Sequence, residues 1–179
     1  MSQRVLLNAK EVNIILHRLA CQLIEKHNDF SNTVLIGLQP RGTFLANRIA
    51  KILNEEYKVK DIQLGYLDIT FYRDDFRRGD KTLAANTTEI DFIVEDKNIV
   101  FIDDVLYTGR SIRAALTAIQ SFGRPNEIEL LTLIDRRFSR HLPIQPDYRG
   151  RQVDVINEEK VKVNWKEHDK EDSVYLIER

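Results

Sequence analysis

Two adjacent carboxylates and a short hydroxyl-bearing turn stand close together in the middle of the sequence. Asp103 and Asp104 end an apolar run, and Thr108, Gly109 and Ser111 follow within a few residues. Neighbouring carboxylates can accept hydrogen bonds from the vicinal hydroxyls of a sugar or hold a hydrated Mg2+. A small, polar turn that opens a helix presents unpaired backbone N–H groups to a phosphate. Together the two features predict a pocket for a ribose that bears a 5′-phosphate.

Strands that alternate with helices must position these residues. Apolar, β-branched runs predict strands at 33–38, 62–71, 98–102 and 127–135. Helical periodicity predicts helices at 44–53 and 111–122. A capping box of Asn8 and Glu11 begins an earlier amphipathic helix. This alternation predicts an α/β fold with a mostly parallel sheet flanked by helices, whose ligands bind beyond the carboxyl ends of the strands.

Two regions depart from this alternation. The polar stretch 72–91 has little periodicity, and structureless loops longer than about 15 residues are commonly lids or disordered segments. We therefore expect a mobile loop there. After Asp135 come an Arg- and Pro-bearing loop and two strand-like runs, at 161–166 and 173–178. We expect one domain, residues 1–179, with a small hood or flap built from the terminal segments, about 136–179 at the C-terminus.

The composition limits the class of partner. The 27 Lys and Arg nearly balance the 28 Asp and Glu, so the net charge of -1 gives no global reason to expect nucleic acid or an anionic membrane. The single cysteine, Cys21, excludes an internal disulfide, and the N-terminus has no signal-peptide pattern. No apolar run reaches the roughly 18 residues of a membrane span. We expect a cytoplasmic protein with no membrane partner.

Adjacent aspartates after a strand also have a purely structural interpretation, as soluble loop residues and helix caps. The longer string IVFIDDVLYTGRS is more specific. It is similar to the 5-phosphoribosyl-1-diphosphate (PRPP) signature of type I phosphoribosyltransferases and implies their fold. The resemblance implies catalytic roles for Asp103 and Asp104, with Mg2+ bound through the substrate and these carboxylates. It also implies that PRPP and its phosphate are bound by Ile99, Val100, Phe101, Ile102, Asp103, Asp104, Val105, Leu106, Tyr107, Thr108, Gly109, Arg110 and Ser111.

Further segments narrow the resemblance. DDVLYTGRS, together with YRDD at 72–75, GRP at 123–125 and IDRR followed by HLPIQPDYRG, resembles the PyrR family from about residue 4 to the C-terminus. Its members are bacterial pyrimidine operon attenuators that also act as uracil phosphoribosyltransferases. The resemblance implies that uracil and PRPP give UMP and pyrophosphate. It also implies a homodimer or higher homo-oligomer that binds pyrimidine operon leader mRNA in response to UMP.

Tyr107 bears on the choice of base. Purine enzymes of this fold usually carry an acidic residue at this position, where it helps to manage a proton on the purine ring. Uracil can react as its N1 anion, so a tyrosine is compatible with a reaction that uses no dedicated general base. It is equally compatible with simple wall packing. A hypoxanthine or guanine phosphoribosyltransferase therefore stays open as an alternative.

The resemblance places a pyrophosphate-binding loop at Pro40, Arg41 and Gly42. Arg41 and the backbone around Gly42 would contact the leaving group. Pro40 has no backbone N–H, so the loop has one donor fewer for pyrophosphate. A strained or cis peptide is expected at 39–41. Taken alone, an Arg-Gly pair after a strand is also compatible with an ordinary helix start.

The resemblance assigns charged side chains to the diphosphate and to the base. In the loop 72–91, the cations that would face the diphosphate are Arg73, Arg77, Arg78 and Lys81, of which Arg73 is the catalytic candidate. A solvated loop without chemistry is the alternative. The loop after the strand at 127–135 would face the base, with Asp135 and Arg136.

A second class of function is an RNA-binding regulator. Segment 136–151 contains five arginines against one acid, Asp147, and such a cluster can neutralise phosphates. The candidate RNA-contacting residues are Arg18, Arg137, Arg140, Arg149 and Arg151. A solvated basic loop without an RNA partner is an equally good interpretation of the same residues.

Overall fold

The computed structural model describes residues 3–74, 85–155 and 159–178, and the loop cations Arg77, Arg78 and Lys81 lie outside these ranges. The described strands are β1 (Gln3–Leu7), β2 (Thr33–Leu38), β3 (Gln63–Leu67), β4 (Asn98–Leu106), β5 (Glu127–Arg137), β6 (Tyr148–Asp154), β7 (Lys160–Asn164) and β8 (Ser173–Ile177). The α-helices are α1 (Ala9–His27), α2 (Gly42–Glu55) and α3 (Arg110–Ile119).

Five strands form a parallel sheet in the order β3-β2-β4-β5-β6. The apolar run of β2 is buried along its whole length, as expected for a strand covered on both faces. One hydrophobic cluster lies between the sheet, α1 and α2, and a second lies between the sheet and α3. This arrangement confirms the predicted α/β architecture. Within the described ranges, no helix is both long and apolar enough to cross a bilayer.

Local sequence determines where the helices begin. At α1 the Asn8 side chain accepts from the Glu11 amide at 3.0 Å, and the Asn8 amide donates to Glu11 Oε2 at 2.9 Å, which confirms the predicted capping box. Helix α3 begins after Gly109, whose φ of 89° lies in the left-handed region. Glycine adopts that conformation without a steric penalty. The turn and the helix start that it permits lie at the carboxyl end of β4.

The ends of several strands differ from the prediction. β4 continues to Leu106 rather than ending at residue 102, because its ladder with β5 persists to the pair Leu106 and Asp135. Asp103 and Asp104 therefore belong to the strand itself. β3 ends at Leu67 rather than at residue 71, because Asp68 accepts from the Thr70 amide at 3.0 Å and turns the chain.

The hood is smaller than predicted at its C-terminal side. β6 pairs in parallel with β5 and forms an edge of the main sheet, so it is not part of the flap predicted for 136–179. The hood is instead a three-stranded antiparallel sheet in the order β1-β8-β7. It combines the first and last strands of the chain, and the prediction of a flap built from the terminal segments was correct in that respect.

Candidate active site

A pocket of about 250 Å3 opens at the carboxyl end of β4. Its walls come from the last part of β4, the turn that follows and the first residues of α3: Asp103, Val105, Leu106, Tyr107, Thr108, Gly109, Arg110, Ser111 and Ile112, joined by Arg73. The first part of the signature has another role, because Ile99, Val100, Phe101 and Ile102 are fully buried in the core. These four residues anchor the strand that carries the site, and their contact with PRPP stays a prediction.

The two aspartates lie on opposite faces of β4, as successive strand residues do. Asp103 faces the pocket, and its Oδ1 accepts from the Asp104 amide at 2.9 Å. Burial, and next the neighbouring charge of Asp104, raise the pKa of Asp103 well above its usual value, while Arg73 acts in the opposite direction. The ionised form of Asp103 is destabilised in this way. Any cation or hydroxyl donor that enters the pocket would stabilise it.

Asp104 faces the hood. Asp104 is only 9% exposed, and its Oδ2 accepts from Arg41 Nε at 3.2 Å. Burial raises the pKa of Asp104, and the charge of Arg41 partly opposes that shift. Arg41 also donates to the carbonyl of Val163 in β7 and lies 3.6 Å from Asp169. The guanidinium thus connects the second aspartate to the hood, a contact that sequence spacing could not reveal.

The predicted pyrophosphate loop joins β2 to α2. The Gln39–Pro40 peptide is cis, which confirms the special peptide expected at 39–41. Gly42 packs so closely on β4 that a Cβ there would overlap the carbonyl of Ile102. Only glycine allows the loop to approach the aspartate-bearing strand this closely. Arg41 and Gly42 are thus brought to the same edge as Asp103 and Asp104.

The two residues that were predicted to face the base, Asp135 and Arg136, contact different parts of the structure. Arg136 lies over the ring of Tyr107, with its guanidinium carbon 3.9 Å from the ring centroid, and donates to the carbonyl of Glu159 at 3.0 Å. Its Nε is buried and finds no acceptor among the described residues. Burial lowers the pKa of Arg136. Asp135 instead bonds to Arg140 and Arg149, so of these two residues Arg136 is the one that lies beside the Tyr107 ring.

The five candidate RNA-contacting arginines all bond within the chain. Arg18 donates to the carbonyl of Arg149 at 3.1 Å, and Arg151 donates to the carbonyl of Leu6 at 2.7 Å. Arg137 pairs with Asp154 at 2.9 Å. Arg137, Arg140 and Arg149 also line a second pocket of about 800 Å3 between β5 and β6. These residues therefore have structural partners already, and RNA binding at this surface stays a prediction.

Comparison with known proteins adds the family context. The phosphoribosyl transferase domain family matches residues 2–169. A protein named "Bifunctional protein PyrR" from Gloeothece citriformis is 45% identical over 96% of each chain. The protein of that name from Limosilactobacillus fermentum is 40% identical over 92% of each chain. These matches agree with the resemblance inferred from the DDVLYTGRS, YRDD and IDRR segments.

Solved structures agree on the fold. The hypoxanthine-guanine phosphoribosyltransferase of Leishmania tarentolae in complex with GMP has a TM-score of 0.72 and 14% identity, and the match covers 98% of this chain and 96% of that one. The hypoxanthine phosphoribosyltransferase of Trypanosoma cruzi has a TM-score of 0.72 and 13% identity, with 97% and 95% covered. At these identities the likeness shows the fold alone, which is the fold that the sequence predicted.

Proposed function

Since the chain belongs to the PyrR family of phosphoribosyl transferases, we propose that it transfers the phosphoribosyl group of PRPP to uracil, giving UMP and pyrophosphate. The observation that carries the proposal is the pocket of about 250 Å3 that Asp103 shares with the turn Tyr107–Ser111 at the start of α3. The helix start suits a 5′-phosphate, because backbone N–H groups and the helix dipole both favour an anion there. The carboxylate suits the ribose hydroxyls, because an ionised aspartate is an acceptor of hydrogen bonds.

Charge development in the reaction matches the charges around the pocket. When the bond from C1′ to the leaving oxygen lengthens, positive charge grows on the ribose and negative charge grows on pyrophosphate. We assign both aspartates to the ribose side: Asp103 lines the pocket, and Asp104 lies 3.2 Å from Arg41, where the predicted pyrophosphate loop meets β4. Preorganised charges of this kind stabilise a transition state without reorganising. Correct positioning alone can account for about 7 to 11 kcal/mol of barrier.

Mg2+ would enter with PRPP, and the residues present fit that arrangement. In the ranges 3–74, 85–155 and 159–178, no group of three or more His, Cys, Asp or Glu side chains could hold a metal ion. Asp103 lines the pocket and can supply one carboxylate, and protein-bound Mg2+ commonly uses one or two carboxylates plus substrate phosphates. When bound, Mg2+ would neutralise negative charge on the leaving group.

The base is proposed to be uracil because of what surrounds Tyr107. Arg136 stacks on the Tyr107 ring, and its buried Nε–H has no acceptor among the described residues. A buried donor of this kind favours a carbonyl oxygen, because an unpaired polar group is costly. Uracil has two such oxygens, whereas hypoxanthine and guanine have one each, so the choice of uracil rests mainly on Tyr107. Tyr107 itself supplies no carboxylate to accept a proton from a purine ring.

A PRPP-consumption assay tests donor and base together. We expect consumption of PRPP and formation of UMP with uracil and Mg2+, and weak competition by hypoxanthine or guanine. If a purine outcompetes uracil, the chain is a purine phosphoribosyltransferase and the uracil assignment is wrong. If no base supports consumption of PRPP, the enzymatic proposal fails as a whole.

The second proposed function is UMP-responsive binding to pyrimidine operon leader mRNA. Two observations favour it: the relatives carry the name "Bifunctional protein PyrR", and arginines line the pocket of about 800 Å3 between β5 and β6. We propose that a homodimer or higher homo-oligomer performs this role in the cytoplasm. Filter binding to a pyrimidine leader transcript should show affinity that rises with UMP and falls with added salt. If the affinity for the transcript depends on neither UMP nor salt, the regulatory proposal fails and only the enzymatic one stands.

A further inference from the structure

The segment between β5 and β6 lies directly behind the turn that is proposed to bind the 5′-phosphate. The His141 amide donates to the carbonyl of Thr108 at 3.0 Å, and the Arg140 guanidinium donates to the carbonyl of Tyr107. A Cβ on Gly109 would lie 3.2 Å from Ile144, so this segment also packs against the glycine. Two successive carbonyls of the turn are therefore held by residues that do not line the pocket, since Arg140, His141 and Ile144 are not part of its wall.

The direction of these carbonyls determines the direction of the next amides. In a trans peptide, the C=O of one residue and the N–H of the next point in opposite directions. The cis peptide of the described chain is Gln39–Pro40, so the peptides of the turn are trans. Because Arg140 and His141 hold the carbonyls of Tyr107 and Thr108 at the back, the N–H groups of Thr108 and Gly109 point forward. Both of these residues line the pocket.

Arg140 is itself fixed in place. Its second nitrogen pairs with Asp135, which is only 4% exposed, and the Arg140 side chain retains 20% of its accessible surface. Arg149 also bonds to Asp135, at 3.4 Å, but its other contact is the side chain of Gln152 rather than the turn. Arg140 is thus the member of this arginine pair that connects the buried carboxylate to the turn. A hydrogen bond from a charged donor is stronger than a neutral one and polarises the peptide group that accepts it.

We propose that Arg140 is a positioning residue for the 5′-phosphate subsite, and this inference rests on the proposed function. The guanidinium does not touch the phosphate. It orients the 107–108 peptide so that the Thr108 N–H faces the anion, and it places a positive charge behind the turn. Arg140 is also a candidate for RNA contact on sequence grounds, and its hydrogen bond to the Tyr107 carbonyl adds a role at the nucleotide site. The ligand class that depends on it is any ribose 5-phosphate, whatever the base.

The test compares ligands that differ only in the phosphate. Isothermal titration gives the dissociation constants of UMP and uridine for the full chain. The uridine constant divided by the UMP constant measures the contribution of the phosphate to binding. We expect Arg140→Met to reduce that ratio about 10-fold, the effect of losing one charge-assisted hydrogen bond. The matched control is Arg149→Met, which removes the other arginine on Asp135 and should leave the ratio within about twofold.

Each outcome decides the proposal. An unchanged ratio in folded Arg140→Met overturns it, and so does an equal loss in Arg149→Met, which would assign the effect to Asp135. If Arg140→Met does not fold, Arg140→Lys keeps the charge but not the paired geometry and should still reduce the ratio. If uracil is not a substrate, IMP and inosine replace UMP and uridine in the same comparison. A failure of base choice is thereby separated from a failure of phosphate positioning.

Discussion

Buried carboxylates occur at both edges of the parallel sheet, and their surroundings differ. At the amino edge, Glu129 is 2% exposed, and its Oε2 accepts from the Tyr148 hydroxyl at 2.9 Å and lies 2.7 Å from His27 Nε2. Lys26 pairs with its other oxygen. At the carboxyl edge, Asp103 accepts from the Asp104 amide at 2.9 Å, and Asp104 pairs with Arg41 at 3.2 Å. One edge surrounds a single carboxylate with donors, whereas the other places two carboxylates next to each other.

The difference separates a structural use of charge at the amino edge from the functional use that we propose at the carboxyl edge. Around Glu129, His27 is bonded on both ring nitrogens, since its Nδ1 lies 2.9 Å from the Thr33 hydroxyl. A polar network in which every member is bonded stiffens the fold. Asp103 and Asp104 instead have raised pKa values, from burial first and, for Asp103, from the other carboxylate second. Such shifts in a cleft are typical of sites that await a ligand.

The strongest test of this contrast is Asp104→Asn. The amide keeps the shape but loses the negative charge, so the variant should lose turnover on the order of 100-fold, as expected when a positioning contact is removed. Its stability should change little, because the amide removes a charge that is costly to bury but also removes the ion pair with Arg41. Steady-state kinetics and urea unfolding measure the two effects. Near wild-type turnover would contradict the role assigned to the ribose-side carboxylates.

Sequence patterns predicted the repeating parts of the fold well. The strand at 33–38, the capping box at Asn8 and the parallel sheet follow from short-range periodicity and local hydrogen bonding, which the sequence contains directly. The predicted end of β4 was wrong, because a ladder with β5, rather than local propensity, extends the strand to Leu106. Strand ends are decided by partners that are distant in sequence, and single-sequence patterns do not contain them.

The same limit applies to the two edges. Asp103, Asp104 and the turn after them are contiguous, so the carboxyl-edge site was predictable from one stretch of chain. The amino-edge cluster was not, because His27 and Glu129 are 102 positions apart and meet only through the sheet. The role proposed for Arg140 was not predictable for a related reason, since its charge is visible in the sequence but its contact with the Tyr107 carbonyl is not.

The matching change at the amino edge is Glu129→Gln. It should reduce the free energy of unfolding by about 2 to 3 kcal/mol, because it leaves a lysine and a histidine facing a neutral amide in a buried position. Lys26 is half-exposed, which keeps the loss below that of a fully buried pair. Turnover of the folded variant should match the wild type. A large loss of turnover without a loss of stability would erase the distinction between the edges.

The two edges should also respond to pH with opposite signs. The pKa of Asp103 is raised by burial, so the folded chain retains a proton that the unfolded chain loses, and stability falls as pH rises above about 4. Burial, and next the charge of Lys26, lower the pKa of His27, so the unfolded chain takes up a proton first and stability falls below about pH 6.5.

Urea unfolding between pH 4 and 8 of the ligand-free wild type and two variants checks these signs. Relative to the wild type, Asp103→Asn should gain stability as pH rises, and His27→Gln should gain stability as pH falls. If the stability difference from the wild type changes with pH in the same direction for both variants, the two edges do not respond to pH with opposite signs.

The smallest expected effect belongs to Tyr148→Phe. The Tyr148 hydroxyl donates to Glu129 Oε2 at 2.9 Å, and burial raises its pKa to about 12, so it stays a donor throughout the neutral range. Removing it leaves His27 and Lys26 on the carboxylate and should reduce stability by about 1 kcal/mol, measured by urea unfolding.

Tyr175→Phe is the matched control for that variant. The Tyr175 hydroxyl also donates to a carboxylate, Glu171 at 3.0 Å, but the bond is exposed to solvent. Its removal should change stability by less than about 0.5 kcal/mol, since water replaces the lost partner. Equal losses in the two variants would mean that burial adds nothing to the tyrosine hydrogen bond of the amino edge. The difference between Tyr148→Phe and Tyr175→Phe therefore measures what burial contributes to the Glu129 network.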